Sequence, residues 1–399
     1  MSSKVSRTKG LKGRKLLFAL LFLALAGVLA WEVSTLVRMP NSPALGRDFI
    51  GKWSSTRLLM QGKNPWNLDD LFVLEASQGW PDPEPVISRS PPFLHVLLIP
   101  FAVLPFYIGA AVWFLVNVFV LALSSKGLAD LLIPGKGIKT LGLALLLTFT
   151  FSRPLQVVLI GQVNSLVLLG LVGFLWLLKK NQLWGAGGVL ALTLVKPHLV
   201  YLALPLLLLE ALLRRWWRIL IAFAGVCLGL LGVATLLHPS WPSDYLTLLT
   251  HEATWATHTW QVAILRGVIY AHMGTDVGKY LWLVVLPLFL MIYLRYRERL
   301  ELTSWLSLAV FAALPTLPFG GSTDLVLLLL PIFQIVGWIL SEPFIDRRVA
   351  IPSLLLIYGY AFWFWVNFQE LAFLPLPFMV GVLYCYALQR VRSTTLAKG

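Results

Sequence analysis

KVSRTKGLKGRKLLFALLFLALAGVLAWEVSTLV, residues 4–37, decides how the rest of the chain is read. Lys4, Arg7, Lys9, Lys12, Arg14 and Lys15 come first, and an apolar run opens at Leu16. A basic segment before such a run marks a signal peptide or a first membrane span, and Ala24-Leu25-Ala26 has the small-residue pattern of a cleavage site. The run goes on through residues 28–31 and 33–37, long enough to cross a bilayer. It therefore reads as a retained first span. Lys and Arg are held on the cytoplasmic side of membranes, which puts the N-terminus there.

Working outward, the same alternation recurs. Of 399 residues, 58% are hydrophobic and 13% charged, and the mean hydropathy is +0.80. A soluble domain carries about 25% charged residues, so this much apolar surface belongs in lipid. A net charge of +14 is also found in nucleic-acid binders. Here the cations stand in short clusters between apolar runs instead of mingling with exposed aromatics, which argues against nucleic acid. The clusters are Lys126, Lys136 and Lys139; Lys179 and Lys180; Arg214, Arg215 and Arg218; Arg295, Arg297 and Arg299; Arg347 and Arg348; and Arg390, Arg392 and Lys398. All fall on the cytoplasmic side of an all-α, polytopic protein with about twelve transmembrane helices.

This layout predicts a basic cytoplasmic segment (1–15), one integral membrane domain (16–390) and a cytoplasmic tail (391–399) of a multi-pass protein of the bacterial plasma membrane. Spans near residues 141–151, 184–196 and 199–213 are short. Residues 92–124, interrupted by Pro100 and Pro105, read as a short re-entrant helix followed by a span. Cys227 and Cys385 lie in apolar runs and read as small buried hydrophobes, not as a disulfide or metal pair.

The loops without basic clusters hold the chemically interesting residues, on the face opposite the N-terminus. In the first outer loop (41–92), residues 47–61 (RDFIGKWSSTRLLMQ) read as an amphipathic helix with Lys52 on its polar side. Gly62 ends it, and Asn64-Pro65 turns the chain. Residues 68–79 read as a second short helix, both lying in the membrane interface. Asp48 is either a carboxylate stabilised by the helix dipole or a catalytic base. Gly161-Gln162-Val163-Asn164 offers amides that bind sugar hydroxyls or bridge helices. Pro197 breaks a helix where Lys196 and His198 flank it, and a lysine at membrane depth calls for an anion. In the late loop (238–279), residues 250–266 carry His251 and His258 with Gln261 and Arg266, without a third metal ligand at helical spacing. Asp324 follows Ser322 and Thr323 at the start of a span, as a helix N-terminal carboxylate capped by one of them or as the partner of a pocket cation.

This ordered set resembles glycosyltransferase family 87, polyprenyl-phosphate-sugar-dependent mannosyltransferases of the GT-C fold. It comprises Asp48-Phe49, the Gly62-x-Asn64-Pro65 turn, Pro91-Pro92-Phe93, Gly161 to Asn164, Lys196-Pro197-His198, Gln261 with Arg266, and Asp324. Two positions depart from the family pattern: Ser88-Arg89-Ser90 replaces a tyrosine before Pro91-Pro92, and Trp260-Gln261 replaces Asn-Gln. The resemblance implies transfer of a hexose, mannose first, to a glycolipid or glycan hydroxyl on the extracytoplasmic face, with membrane lipids as surroundings. It implies inversion with Asp48 as general base. Lys196, His198 and Arg266 would bind donor phosphate; Gln162, Asn164, His258, Gln261 and Asp324 would bind sugar or acceptor. No metal and no cofactor are needed in principle. The rival readings are a lipid-linked polysaccharide polymerase or ligase, which would use the late loop, and a lipid transporter, which would show the internal repeat that this chain lacks.

Overall fold

The computed structural model describes residues 23, 27, 46–80, 84–251, 263–367 and 370–396. The basic N-terminus, almost all of the first expected span, His258 and Gln261 lie outside them. The described residues are helical, without strands. The helices are α1 (Arg47–Met60), α2 (Leu68–Ser77), α3 (Pro92–Ala102), α4 (Phe106–Leu132), α5 (Ile138–Phe149), α6 (Ser152–Ile160), α7 (Asn164–Lys179), α8 (Leu183–Leu190), α9 (Ala203–Leu213), α10 (Trp217–Leu237), α11 (Trp241–His251), α12 (Leu265–Met273), α13 (Leu281–Tyr296), α14 (Leu302–Ala313), α15 (Leu329–Ser341), α16 (Arg347–Val366) and α17 (Pro375–Leu396).

Against about twelve expected spans in the whole chain, six helical segments among the described residues are long and apolar enough to cross a membrane, or seven if the pair α5–α6, bent by 70°, counts as one. The others are shortened by identifiable breaks. Pro105 stands between α3 and α4, Pro197 follows the 3-10 turn Ala191–Val195, and Pro315 lies in the turn after α14. Pro100 does not interrupt: it sits inside α3 near its C-terminal end. The short spans expected near 141–151, 184–196 and 199–213 are the short helices α5, α8 and α9.

The core is built around the segment Ser322–Ser341, almost wholly buried by its neighbours. By contrast α10 and α13 leave most of their apolar surface exposed, including Leu228, Leu236, Val284 and Met291, as lipid-facing helices do. Cys385 is exposed and Cys227 half-buried, so neither is the buried hydrophobe expected.

Small residues allow the closest helix crossings, the usual solution where lipid removes the hydrophobic drive between helices. A methyl group on Gly187 of α8 would collide with the backbone of Ile219 in α10, and one on Gly337 of α15 with that of Leu132 in α4.

The first loop departs most from its reading. α1 is not an interface helix: ten of its fourteen residues are buried, Lys52 among them at 6% exposure. α3 and α4 pack against it, and Val86 of the irregular link closes over Gly51. The ends of α1 are as expected. Gly62 (φ 72°) follows it in the left-handed conformation, and Lys63 N donates back to Leu58 O at 3.0 Å, closing a Schellman motif. Asn67 caps α2 by accepting from Asp70 N.

The bundle is polarised along its length. At one end Asp130 of α4 holds Lys126 and accepts from Trp176, while Leu132 meets Gly337. Trp113 and Asn117, about 20–25 Å back along the same helix at 1.5 Å per residue, hold the Gly161–Asn164 turn. Lys126 and Lys179, both held by Asp130, therefore lie at one end and the Asp48 and Asp324 carboxylates at the other.

Candidate active site

Asp48 lies in the first turn of α1, where its charge faces the positive helix end. The entry to this helix is fixed by Gly46, which takes a left-handed conformation (φ 73°) and donates its N–H to Leu159 O of α6 at 2.9 Å. Leu159 is three residues before Gln162, and Gln162 Nε2 donates to Asp48 Oδ2. The carboxylate is thereby aimed from two directions.

The turn Gly161-Gln162-Val163-Asn164 is rigidly seated. Gly161 (φ 75°) caps α6, and a side chain there would run into the Cβ of Phe49. Trp113 Nε1 donates to Gly161 O at 3.2 Å and Asn117 Nδ2 to Gln162 O at 3.0 Å. Ser165 Oγ in turn donates to Asn117 Oδ1. Asn164 then begins α7, and its Nδ2 donates to Asp324 Oδ1 at 2.6 Å. Lys196 Nζ approaches the same oxygen at 3.3 Å. Asp324 Oδ2 accepts from Gly321 N at 2.8 Å. Asp324 is thus both a helix-start carboxylate and a salt-bridge partner, although the backbone group it ties is Gly321, not Ser322 or Thr323. Two carboxylates are linked through a single four-residue turn.

This answers the alternative left open for the two amides. They do bridge helices, through their nitrogens. Their oxygens, Gln162 Oε1 and Asn164 Oδ1, are buried without a hydrogen-bond partner among the described residues. Buried acceptors without donors are costly, about 1–3 kcal/mol each, and a ligand hydroxyl would remove that cost.

The remaining expected residues divide. His198 follows Lys196 and Pro197 in a short 3-10 turn and stacks on Phe319, ring centroids 4.2 Å apart. Arg266 is engaged otherwise than expected. Its Nε and Nη2 donate to the two oxygens of Asp276 at 2.5 and 2.7 Å, and its Nη1 to Pro318 O at 2.5 Å. This fork leaves Arg266 bracing the loop that leads to Asp324, with its best phosphate-binding geometry already taken. The side chain of His251 also lies outside the described residues, and His238 is used locally, its ring nitrogens against Gly62 O at 3.0 Å and Asp244 Oδ2 at 2.6 Å.

Several further residues join the cluster. Arg153 is fully buried; it donates to Gln156 Oε1 at 2.7 Å and lies over the Phe373 ring at 3.9 Å. Ser322 joins Gln156 to Glu370: its N–H donates to Glu370 Oε2 at 3.0 Å, and its hydroxyl lies within hydrogen-bond distance of Glu370 Oε1 and Gln156 Oε1. Asn117 was accessible as a lone amide inside the apolar run of α4, a position where polar groups are expensive. Lys52 was masked by its apparent place on a polar helix face. Among the described residues no group of three or more His, Cys, Asp or Glu has metal-binding geometry.

The model of glycosyltransferase family 87 matches residues 90–331, more than half of the chain, and the chain belongs to that family. It is therefore a membrane glycosyltransferase, acting on a sugar donor and an acceptor among membrane lipids. The match contains Gln162, Asn164, Lys196, His198, Arg266 and Asp324; Asp48 precedes it. No curated protein and no solved structure matches the chain.

Proposed function

We propose that the protein transfers a hexose, mannose first, from a polyprenyl-phosphate-sugar to a hydroxyl of a glycolipid or glycan on the extracytoplasmic face of a bacterial plasma membrane. One observation carries this reading. The Gly161–Asn164 turn ties Asp48 to the Asp324–Lys196 pair while leaving two amide oxygens unpartnered between them. A carboxylate, a cation and acceptors for hydroxyl groups are what transfer from a glycosyl phosphate demands.

In this reading Asp48 accepts the proton of the acceptor hydroxyl as its oxygen attacks the anomeric carbon. Attack comes from the face opposite phosphate, so the configuration inverts. The bond between the anomeric carbon and phosphate oxygen breaks, and its electron pair leaves on polyprenyl phosphate. Lys196 and His198 face that developing charge. Gln162 and Asn164 receive sugar hydroxyls through their open oxygens. Asp324 holds Lys196 and Asn164 in register, and Arg266 braces the Pro318 carbonyl behind it. His258 and Gln261 belong to the late loop that would close over the acceptor. Side chains supply all the positive charge in this scheme, and no metal is assigned a role.

The GT-C fold belongs to the same proposal, with residues 16–390 as one membrane domain. The short apolar helices between the six long ones supply the further spans toward twelve. The exposed apolar faces of α10 and α13 suit a lipid-linked substrate that arrives within the membrane plane.

The test is transfer itself. Purified protein in lipid nanodiscs receives radiolabelled polyprenyl-phosphate-mannose, and in parallel the glucose and arabinose equivalents, with a lipid extract as acceptor. Label moving from the mannose donor to a new glycolipid of inverted anomeric configuration is expected. No transfer from any of the three donors by folded protein would overturn the proposal.

A further inference from the structure

Lys52 is the one buried cation of α1, and the sequence places it on what looks like a solvent face. The structure instead leaves it 6% exposed, beside His95. Its Nζ donates to the backbone carbonyl of Asp48 at 2.6 Å. No carboxylate forms a salt bridge with it among the described residues; the Asp48 side chain is turned to Gln162. The Gly161–Asn164 turn links Asp48, whose carbonyl Lys52 holds, to Asp324, which holds Lys196. A buried ammonium has three donors, and an uncompensated one is expensive unless an anion arrives. Two lysines converge here, and one carboxylate, Asp324, is bonded to only the second of them.

We propose that Lys52 is a phosphate-binding residue of the donor site, paired with Lys196 and taking the place that sequence reasoning gives to Arg266. This rests on the lipid-phosphate donor proposed above. Lys52 stands one helical turn after Asp48 on the same face of α1, so both groups serve one site. Lys52 neutralises the phosphate as it departs, while Asp48 holds the acceptor proton. Donor recognition then becomes sensitive to pH in a particular direction. Burial, partly offset by Asp48 and reinforced by Lys196, brings the Lys52 pKa down to about 8. Above that value the empty site loses a positive charge, and its affinity for phosphate falls. The other titratable groups facing Lys52 are Asp48, Lys196 and His95. Arginine at position 52 keeps its charge throughout.

The experiment compares binding of polyprenyl phosphate with that of the uncharged polyprenol, in nanodiscs, from about pH 7 to about pH 9. The ratio of the two affinities isolates the phosphate. Wild type is expected to prefer the phosphate, with the preference declining across this range. Lys52→Met is expected to lose roughly tenfold or more of it with polyprenol binding unchanged. Lys52→Arg is expected to retain the preference and flatten its pH dependence, and it serves if the methionine variant does not fold. A preference unchanged in Lys52→Met, or a wild-type preference flat across the range, overturns the assignment of Lys52 alone. A wild type with no preference at all overturns the lipid-phosphate donor with it.

Discussion

Gln162 is the residue on which the geometry of the site turns. Its nitrogen orients the Asp48 carboxylate, and its oxygen is buried without a hydrogen-bond partner among the described residues. Replacing it by glutamate keeps the shape and sets a second carboxylate against the first. Two adjacent carboxylates repel each other, and the donor that aims Asp48 is lost. The transfer rate of Gln162→Glu at neutral pH is expected to fall about 10²-fold. An unchanged rate would separate the aim of Asp48 by Gln162 from catalysis. At this scale the sequence was readable in part. Asp48, Gln162, Asn164, Lys196 and Asp324 were each visible as polar residues at the ends of apolar runs, and the fold brings all five together. Arg266 was visible too, but its partner Asp276 lies ten residues on, beyond the left-handed turn at Gly274. No periodicity reports such a pairing.

Among the elements, α1 shows why local pattern misleads. Its polar residues suggested an amphipathic helix at a membrane surface, because nothing in residues 47–61 records that the link 84–91 and helices α3 and α4 enclose it. The enclosure is secured by Glu75 of α2, a buried carboxyl whose pKa burial pushes up. It accepts from Ser54 Oγ of α1 at 2.7 Å and from Val86 N of the link at 2.9 Å. Glu75→Ala strands both donors, at a cost of about 1–3 kcal/mol per buried group. Glu75→Gln still offers an oxygen to Val86 N–H. Thermal unfolding is expected to show a marked fall in Tm for the alanine variant and a small one for the glutamine variant. Equal falls would mean that Glu75 acts by packing alone. The helix ends were more legible than the helix faces. Gly62, Asn64 and Asn67 act through backbone conformation and caps, which need only near neighbours.

At the scale of the whole molecule, composition and charge clusters were enough to place the chain in a membrane and its polar residues at one end. Span count was not legible to the same degree. Proline breaks and a 70° bend divide apolar sequence into helices too short to count as spans. What the architecture accomplishes is convergence: α1, the Lys196 break and the start of the segment Ser322–Ser341 deliver one polar group each, and the Gly161–Asn164 turn two, to a single place. The central claim is that this place transfers a sugar with Asp48 as base. Asp48→Asn preserves the hydrogen bond from Gln162 in shape but cannot take up a proton. The decisive measurement is single-turnover transfer from radiolabelled polyprenyl-phosphate-mannose by Asp48→Asn and wild type, each with donor binding recorded on the same sample. Donor binding within about threefold of wild type, with transfer lowered about 10³-fold or more, is the expected result. Transfer by Asp48→Asn at the wild-type rate would contradict it.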